Sequence, residues 1–248
     1  MDRPKPRTRA LEAFASAEGR RGVLLDFDGS LSPIVARPEL AQIRDGARDA
    51  LARLVGRYAI VGVISGRTRP ELEALIGVPG VRLAALYGIG DQTTLPEGLE
   101  DRVRAIVAGV PGVRVEPKGG SIAAHYRGAS DPGAAEAALT EALAPIAEEA
   151  GLELLAGKKV IELVPAGRPL KGGAVDAIVA QAGLDAVLYA GDDLADIRAF
   201  EVLDRLAAEG LVTLKVAVHG PETPPALTAA ADLVVDGPAG LVGLLRRL

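Results

Sequence analysis

Short apolar runs alternate with amphipathic Ala/Leu-rich stretches along most of this chain, and that alternation limits the possible folds more than any other feature. Val23–Phe27 reads as a strand, and Gly46–Gly56 carries Ala47, Leu51, Leu54 and Val55 at helical spacing. Ala59–Ile64 reads as the next strand, Glu71–Leu75 as a short helix and Val81–Leu86 as a third strand. Further on, Ala174–Ala182 and Ala195–Ala208 read as helices and Ala186–Ala190 and Thr213–Val218 as strands, and the apolar stretches Leu233–Val235 and Leu241–Leu248 close the chain. Strand–helix alternation of this kind predicts an α/β fold: a doubly wound, mostly parallel sheet covered on both faces.

The middle of the chain breaks the rhythm. Val113–Glu116 and Ser121–Tyr126 flank Lys118-Gly119-Gly120, and Leu152–Leu155 and Val160–Val164 flank Gly157-Lys158-Lys159. Both are hairpin-like turns, with the long Ala-rich helix Pro132–Ala150 between them. Strands joined by hairpins are not parallel crossovers, so residues 93–166 are expected to form a smaller α+β domain inserted in a core made of 1–92 and 167–248. The Pro/Gly-containing stretches Leu95–Gly98 and Pro165–Pro169 are the expected hinges.

Composition removes several function classes. The 248 residues are 49% hydrophobic and 25% charged, an ordinary globular balance with enough length for one large domain or a core plus an insertion. A net charge of −5 and only 3% aromatics argue against nucleic-acid or membrane-surface partners. With no cysteine, disulfides, thiolate metal sites and cysteine nucleophiles are excluded. Met1–Arg9 is basic and Pro-rich with no apolar stretch behind it, unlike a secretory signal, and no run is long enough to span a bilayer. The expectation is a cytoplasmic protein whose partner is a small molecule, and a monomer is compatible with the sequence.

Four stretches bear chemistry. In Leu24-Leu25-Asp26-Phe27-Asp28-Gly29-Ser30, two carboxylates two residues apart follow an apolar run and precede a glycine turn. Side chains at i and i+2 of a strand face the same way, so Asp26 and Asp28 are expected together at a strand's C-terminal edge, where open α/β sheets place ligands. Like charges that close need a cation between them or a shared proton, so the pair reads as a metal site or as an acid/base pair. Ser65-Gly66-Arg67 puts a hydroxyl and a guanidinium at the end of another apolar strand, and Lys171 stands just before a helix. Gly191-Asp192-Asp193-Leu194-Ala195-Asp196 places three acids in five residues, more than a single helix cap needs.

Together these stretches make one device for phosphoryl chemistry. Asp26 suits a carboxylate nucleophile, and Asp28 a general acid and then base. Asp26 and Asp192 offer hard oxygen ligands for Mg²⁺, and Asp28, Asp193 and Asp196 complete the candidate metal set. Ser65 and Lys171 supply a hydroxyl and a cation to the phosphoryl oxygens.

The four stretches resemble, in order, the four motifs of the haloacid dehalogenase superfamily. Asp-Gly-Ser-Leu-Ser-Pro-Ile from Asp28, Glu-Pro-Lys-Gly-Gly-Ser with Ala-x-His-Tyr-Arg over Glu116–Arg127, Gly-Lys-x-x-x-Glu-Leu-x-Pro over Gly157–Pro165, and Gly-Asp-Asp-x-x-Asp with Ala-Phe over Gly191–Phe200 resemble the trehalose-6-phosphate phosphatases. The resemblance implies a phosphatase core with a mobile α/β cap, Mg²⁺ as cofactor, and hydrolysis of trehalose 6-phosphate through an aspartyl-phosphate at Asp26. It also implies sugar contacts from Glu116, Lys118 and Glu162, with Arg67, Arg127 and Lys158 as further substrate-binding candidates. Ser30, Ala195, Ile197 and Tyr87 depart from the family pattern, with Asp91 the residue available in place of a missing Glu near Tyr87. Those departures bear on the choice of sugar more than on the phosphatase chemistry. A phosphatase for another sugar phosphate, of sucrose or glycosyl-glycerate type, is the alternative, and a non-catalytic sugar-phosphate-binding module the other. His125 is expected to be structural or sugar-adjacent rather than catalytic.

Overall fold

The computed structural model describes residues 6–88, 95–118, 120–166 and 170–248. Asp91, Gly119 of the first hairpin turn, Pro169 of the lysine stretch and the expected boundary residues 92, 93 and 167 lie outside them. In chain order the elements are α1 (Pro6–Ser16), β1 (Arg21–Leu25), α2 (Ala47–Val55), β2 (Ile60–Ile64), α3 (Arg69–Ile76), β3 (Arg82–Ala84), α4 (Leu99–Val107), β4 (Arg114–Pro117) and β5 (Ile122–His125). They continue with α5 (Pro132–Glu149), β6 (Leu152–Gly157), β7 (Val160–Pro165), α6 (Lys171–Ala182), β8 (Ala186–Gly191), α7 (Leu194–Ala208), β9 (Val212–His219), α8 (Pro225–Ala230), β10 (Leu233–Asp236) and α9 (Gly237–Leu245). The chain divides into two compact units, Met1–Gly88 with Pro169–Leu248, and Ile89–Arg168.

The first unit is built on a six-stranded sheet, ordered β10-β9-β8-β1-β2-β3, with every pairing parallel. A parallel sheet is covered on both faces, and its central strands therefore read as unbroken apolar runs. All six residues of β8 are buried. Alternate residues serve opposite layers: Val23, Leu25, Val61 and Val63 pack with Leu51, Leu54, Leu241 and Leu244 of α2 and α9. Leu24, Ile64, Val187 and Tyr189 pack with Val175, Ile178, Phe200 and Leu203 of α6 and α7. Each such fully buried side chain contributes about 1.5–3 kcal/mol of transfer free energy.

The second unit is a four-stranded antiparallel sheet, ordered β4-β5-β7-β6. One face, with Ile122, Ala124, Ile161 and Leu163, packs on Val103 and Val107 of α4 and Leu139 and Leu143 of α5. Register places Glu116 opposite Ala123 and Ala123 opposite Glu162. By the period-two rule these three, with Arg114 and His125, belong to the other face.

Several sequence expectations are corrected by local geometry. The first strand ends at Leu25 rather than Phe27, because the Phe27 carbonyl accepts the amides of Leu31 and Ser32, both at 2.9 Å, and so closes a turn. The third strand stops at Ala84 rather than Leu86, since Leu86 and Tyr87 take positive φ of 48° and 59°. Their amides bond instead to the carbonyls of Arg67 and Ser65. Lys171, expected just before a helix, is the first residue of α6. The chain start, read only as a basic Pro-rich segment, contains α1, whose Phe14 is fully buried and stacks on Tyr58 at 5.9 Å. The sequence reading also passed over α4 and α8.

Candidate active site

In the six-stranded sheet, β1 lies between β2 and β8, so the chain's winding reverses at the β8–β1 crevice. Ligands of open α/β sheets bind at such a switch point, outside the carboxyl ends of the strands. Asp26 follows β1 directly, its amide bonded to the Ala190 carbonyl of β8 at 2.8 Å, and Asp192 follows β8 directly. Two glycines make the approach possible. Gly29 adopts φ +93°, and a Cβ there would stand 1.9 Å from the Asp192 carboxylate. A Cβ on Gly191 would stand 2.2 Å from the Asp196 carboxyl carbon.

Lys171, only 5% exposed, joins the carboxylates. Its Nζ donates to Asp26 Oδ1 and to Asp196 Oδ1, both at 2.7 Å. A lysine opening a helix works against the helix dipole. Here the buried carboxylates of Asp196 and Asp26 overcome both that and the desolvation penalty, and hold the ammonium well above its ordinary pKa. Asp196 also accepts from the Tyr189 hydroxyl at 2.6 Å and from the amides of Asp192 and Asp193 at 2.8 and 2.9 Å.

Three carboxyls thus share one buried space with a single ammonium. Burial, reinforced by Asp196 and Asp28 and opposed by Lys171, raises the Asp26 pKa from 3.8 to about 7. One carboxylate oxygen each from Asp26, Asp192 and Asp196 lie within 4.8 Å of one another. Asp26 Oδ2 is buried with no hydrogen-bond partner among the described residues, as is Ser30 Oγ. An unmet buried carboxylate oxygen in an acid-rich cluster fits an oxygen-coordinated divalent cation, whose charge would offset the excess of carboxyls.

Asp28 and Asp193, also expected as metal ligands, stand outside that triad and carry other contacts. Asp28, with its side chain 38% exposed, is held by the Arg67 guanidinium through two bonds, Nε to Oδ2 at 2.8 Å and Nη2 to Oδ1 at 2.7 Å. Asp193 caps α7, accepting the Ala195 amide at 2.7 Å. Arg67, expected at the substrate, is 6% exposed. Besides gripping Asp28, its guanidinium donates to the Pro38 carbonyl at 3.0 Å and lies 5.5 Å over the Phe27 ring. The guanidinium therefore ties Asp28 to the loop carrying Pro38. Ser65, 2% exposed, accepts the Arg67 amide at 3.2 Å through its hydroxyl.

In the second unit, Glu116 Oε2 and His125 Nε2 are 2.6 Å apart, with both side chains 19% exposed. The His125 hydrogen bond, partly opposed by burial and helped by the charges of Lys118, His125 and Arg114, pulls the Glu116 pKa from 4.5 down to about 2. Glu162, expected on an open face, is 5% exposed and accepts the Ser121 hydroxyl at 2.5 Å. The Lys118 amide bonds to the Ser121 carbonyl at 2.9 Å, and Arg127 donates to the Lys158 carbonyl at 3.2 Å.

Sequence reasoning gave no role to Tyr189 or Ser121. Tyr189 did carry a signal: a tyrosine inside a strand buried on both faces needs a partner for its hydroxyl. Ser121 had none beyond its place after a turn. Among the described residues no helix is long and apolar enough to cross a membrane.

Comparison with known proteins agrees with this architecture. A family model described as trehalose-phosphatase matches residues 24–232. A trehalose-phosphate phosphatase of Mycobacterium tuberculosis is 32% identical over 220 residues, covering 78% of this chain and 55% of that protein. A protein of the same organism named an uncharacterized glycosyl hydrolase is 35% identical over 219 residues, covering 78% of this chain and 16% of its own length. The chain therefore spans only about half, or less, of these relatives. The C-terminal domain of the Candida albicans trehalose-6-phosphate phosphatase superposes with a TM-score of 0.80 at 24% identity, covering 96% of this chain and 94% of that one. A haloacid dehalogenase-like hydrolase from Bacteroides thetaiotaomicron shares the fold at a TM-score of 0.64 and 14% identity. With the family model spanning residues 24–232 and a relative 32% identical over 220 residues, this chain belongs to the trehalose-phosphatase family.

Proposed function

We propose that this protein is a Mg²⁺-dependent phosphatase that hydrolyses trehalose 6-phosphate to trehalose and phosphate through an aspartyl-phosphate on Asp26. The observation that carries the reading is the state of the Asp26 carboxylate. Oδ1 is fixed by Lys171, while Oδ2 is buried and unbonded among the described residues. A carboxylate anchored on one oxygen and open on the other suits in-line attack on phosphorus. Asp26 and Asp192 would hold the cation, which supplies charge neutralisation for the entering phosphoryl group.

In the first half-reaction an Asp26 oxygen bonds to phosphorus as the phosphorus–oxygen bond to the sugar breaks. The departing sugar oxygen takes a proton from Asp28. In the second, Asp28 removes a proton from water, the water oxygen bonds to phosphorus, and the bond to Asp26 breaks to release phosphate. Both Asp28 oxygens are engaged by Arg67, so the carboxyl must turn out of that fork to transfer a proton. Its partial exposure leaves room to turn. Lys171 and Ser65 balance and orient the phosphoryl oxygens.

Recognition of the sugar is assigned to the second unit, to Glu116, Lys118, Arg127 and Glu162. Acceptors held in fixed places discriminate among polyols, because a sugar that leaves one unmet forfeits its hydrogen bond. The test is phosphate release from trehalose 6-phosphate with Mg²⁺, beside a panel of other sugar phosphates including sucrose 6-phosphate. Release from trehalose 6-phosphate in preference to the panel is expected. Preference for another member moves the substrate and keeps the chemistry. Binding of trehalose 6-phosphate without release by wild type and Asp26→Asn alike would reduce the chain to a binding module.

A further inference from the structure

We infer that Tyr189 is a positioning residue for the reaction, its hydroxyl holding the Asp196 carboxylate so that Asp196 in turn holds Lys171 against Asp26. The reasoning starts from how many donors Asp196 has. An ionised carboxylate offers about four lone-pair sites on its two oxygens. Asp196 Oδ1 takes Lys171 Nζ at 2.7 Å and the Tyr189 hydroxyl at 2.6 Å. Oδ2 takes the amides of Asp192 and Asp193 at 2.8 and 2.9 Å. All four sites are filled, so Asp196 acts as a hub that ties the β8–α7 turn to Lys171. Of its four donors, Lys171 also serves Asp26, and the two amides belong to the turn being held. Tyr189 alone comes from the rigid interior of β8.

Tyr189 is fully buried and packs edge-on to Phe200 with ring centroids 6.3 Å apart. Among the described residues, removing the hydroxyl would leave Oδ1 with the Lys171 ammonium as its one donor.

The kinetic consequence rests on the phosphatase reading; the structural consequence does not, and two measurements separate them. Tyr189→Phe removes the hydroxyl and keeps the ring. Phe200→Leu loosens the same ring packing without touching Asp196. Amide hydrogen exchange of Asp192 and Asp193 is expected to quicken about tenfold in Tyr189→Phe and to stay near wild type in Phe200→Leu. With trehalose 6-phosphate and Mg²⁺, Tyr189→Phe is expected to lower kcat about tenfold with KM within twofold of wild type, while Phe200→Leu lowers thermal stability and leaves kcat within twofold. Unchanged exchange at both amides in Tyr189→Phe overturns the inference, as does a loss of kcat that follows thermal stability equally in the two variants. Exchange that quickens in a wild-type background releasing no phosphate from any sugar phosphate upholds the positioning role and sinks only the assigned reaction.

Discussion

The two units solve different problems with the same residue types. In the first, Asp26, Lys171, Asp192 and Asp196 are all at most 5% exposed, and two of them share one ammonium. In the second, Glu116 and His125 form a pair that keeps 19% of each side chain in contact with solvent. Burial dominates the first cluster and pushes a carboxyl pKa up; a local hydrogen bond dominates the second and pulls one down. Desolvated charge is costly unless matched, so a buried acidic cluster in which Asp26 Oδ2 lacks a hydrogen-bond partner among the described residues fits the cation proposed above. A partly exposed pair stores little energy and fixes direction at small cost, in keeping with the sugar-binding role proposed above.

The sharpest way to break this contrast is Asp26→Asn. If Asp26 is the nucleophile, kcat for phosphate release falls by about 10⁴-fold or more. The same variant tests the claim that burial governs the cluster. Asp26 has a folded pKa of about 7 against an ordinary 3.8, so its contribution to stability is fully present below pH 3.8 and is lost as pH rises through 7. In chelator, the melting temperature of wild type should therefore fall relative to Asp26→Asn between about pH 4 and pH 8. Mg²⁺ at pH 8 should restore it in wild type and do less in the variant. Parallel melting curves across that range would mean that the carboxyl is not strained by its surroundings.

Arg67→Lys asks whether Asp28 depends on a placed partner as Asp26 depends on Lys171. A lysine keeps the charge but cannot reproduce two parallel bonds to one carboxylate. The expectation is a kcat about tenfold lower with KM little changed, read from steady-state kinetics. Glu162→Gln then probes the second unit, where the effect should appear in the other parameter. KM rises about tenfold while kcat stays within a few fold, because an acceptor used for binding contributes alike to ground and transition states. A loss confined to kcat would place Glu162 with the chemistry and erase the division of labour.

How far the sequence foretold this depends on the range of the interaction. Asp26, Lys171 and Asp192 were legible because each stands at the end of an element whose period can be read, and the parallel topology brings strand ends together. The antiparallel second unit was legible from two hairpin turns. The Arg67–Asp28 fork was not, because it joins residues 39 positions apart whose side chains meet only after β1 stops at Leu25 and the chain turns at Gly29. That early stop also explains why Asp26 and Asp28, expected together at one strand edge, are respectively buried and partly exposed. Glu162 reads as a surface charge in an alternating strand, and only the register that puts it across from Ala123 of β5 places it in the interior of its sheet. The hub role of Asp196 was hidden for a simpler reason: its partners include two backbone amides, and a side-chain pattern carries no record of those.

The smallest expected effect concerns the Glu116–His125 pair, and it isolates the second unit. Glu116 has its folded pKa lowered from 4.5 to about 2, chiefly by the His125 hydrogen bond, so it contributes stability above pH 4.5 that is lost as pH falls toward 2. Because both side chains remain partly in water, the contribution is about 1 kcal/mol rather than the whole shift, or a few degrees of melting temperature. Acid titration of thermal stability should show wild type converging on Glu116→Gln between about pH 4.5 and pH 2, and His125→Ala should already sit near the variant at pH 5. The convergence is local: it should be seen by amide exchange in β4 and β5 and be absent from β1 and β8, since the Glu116–His125 bond joins two strands of the second unit. Convergence in both sheets would mean that the two units melt together, and that the partly exposed pair supports the buried cluster after all.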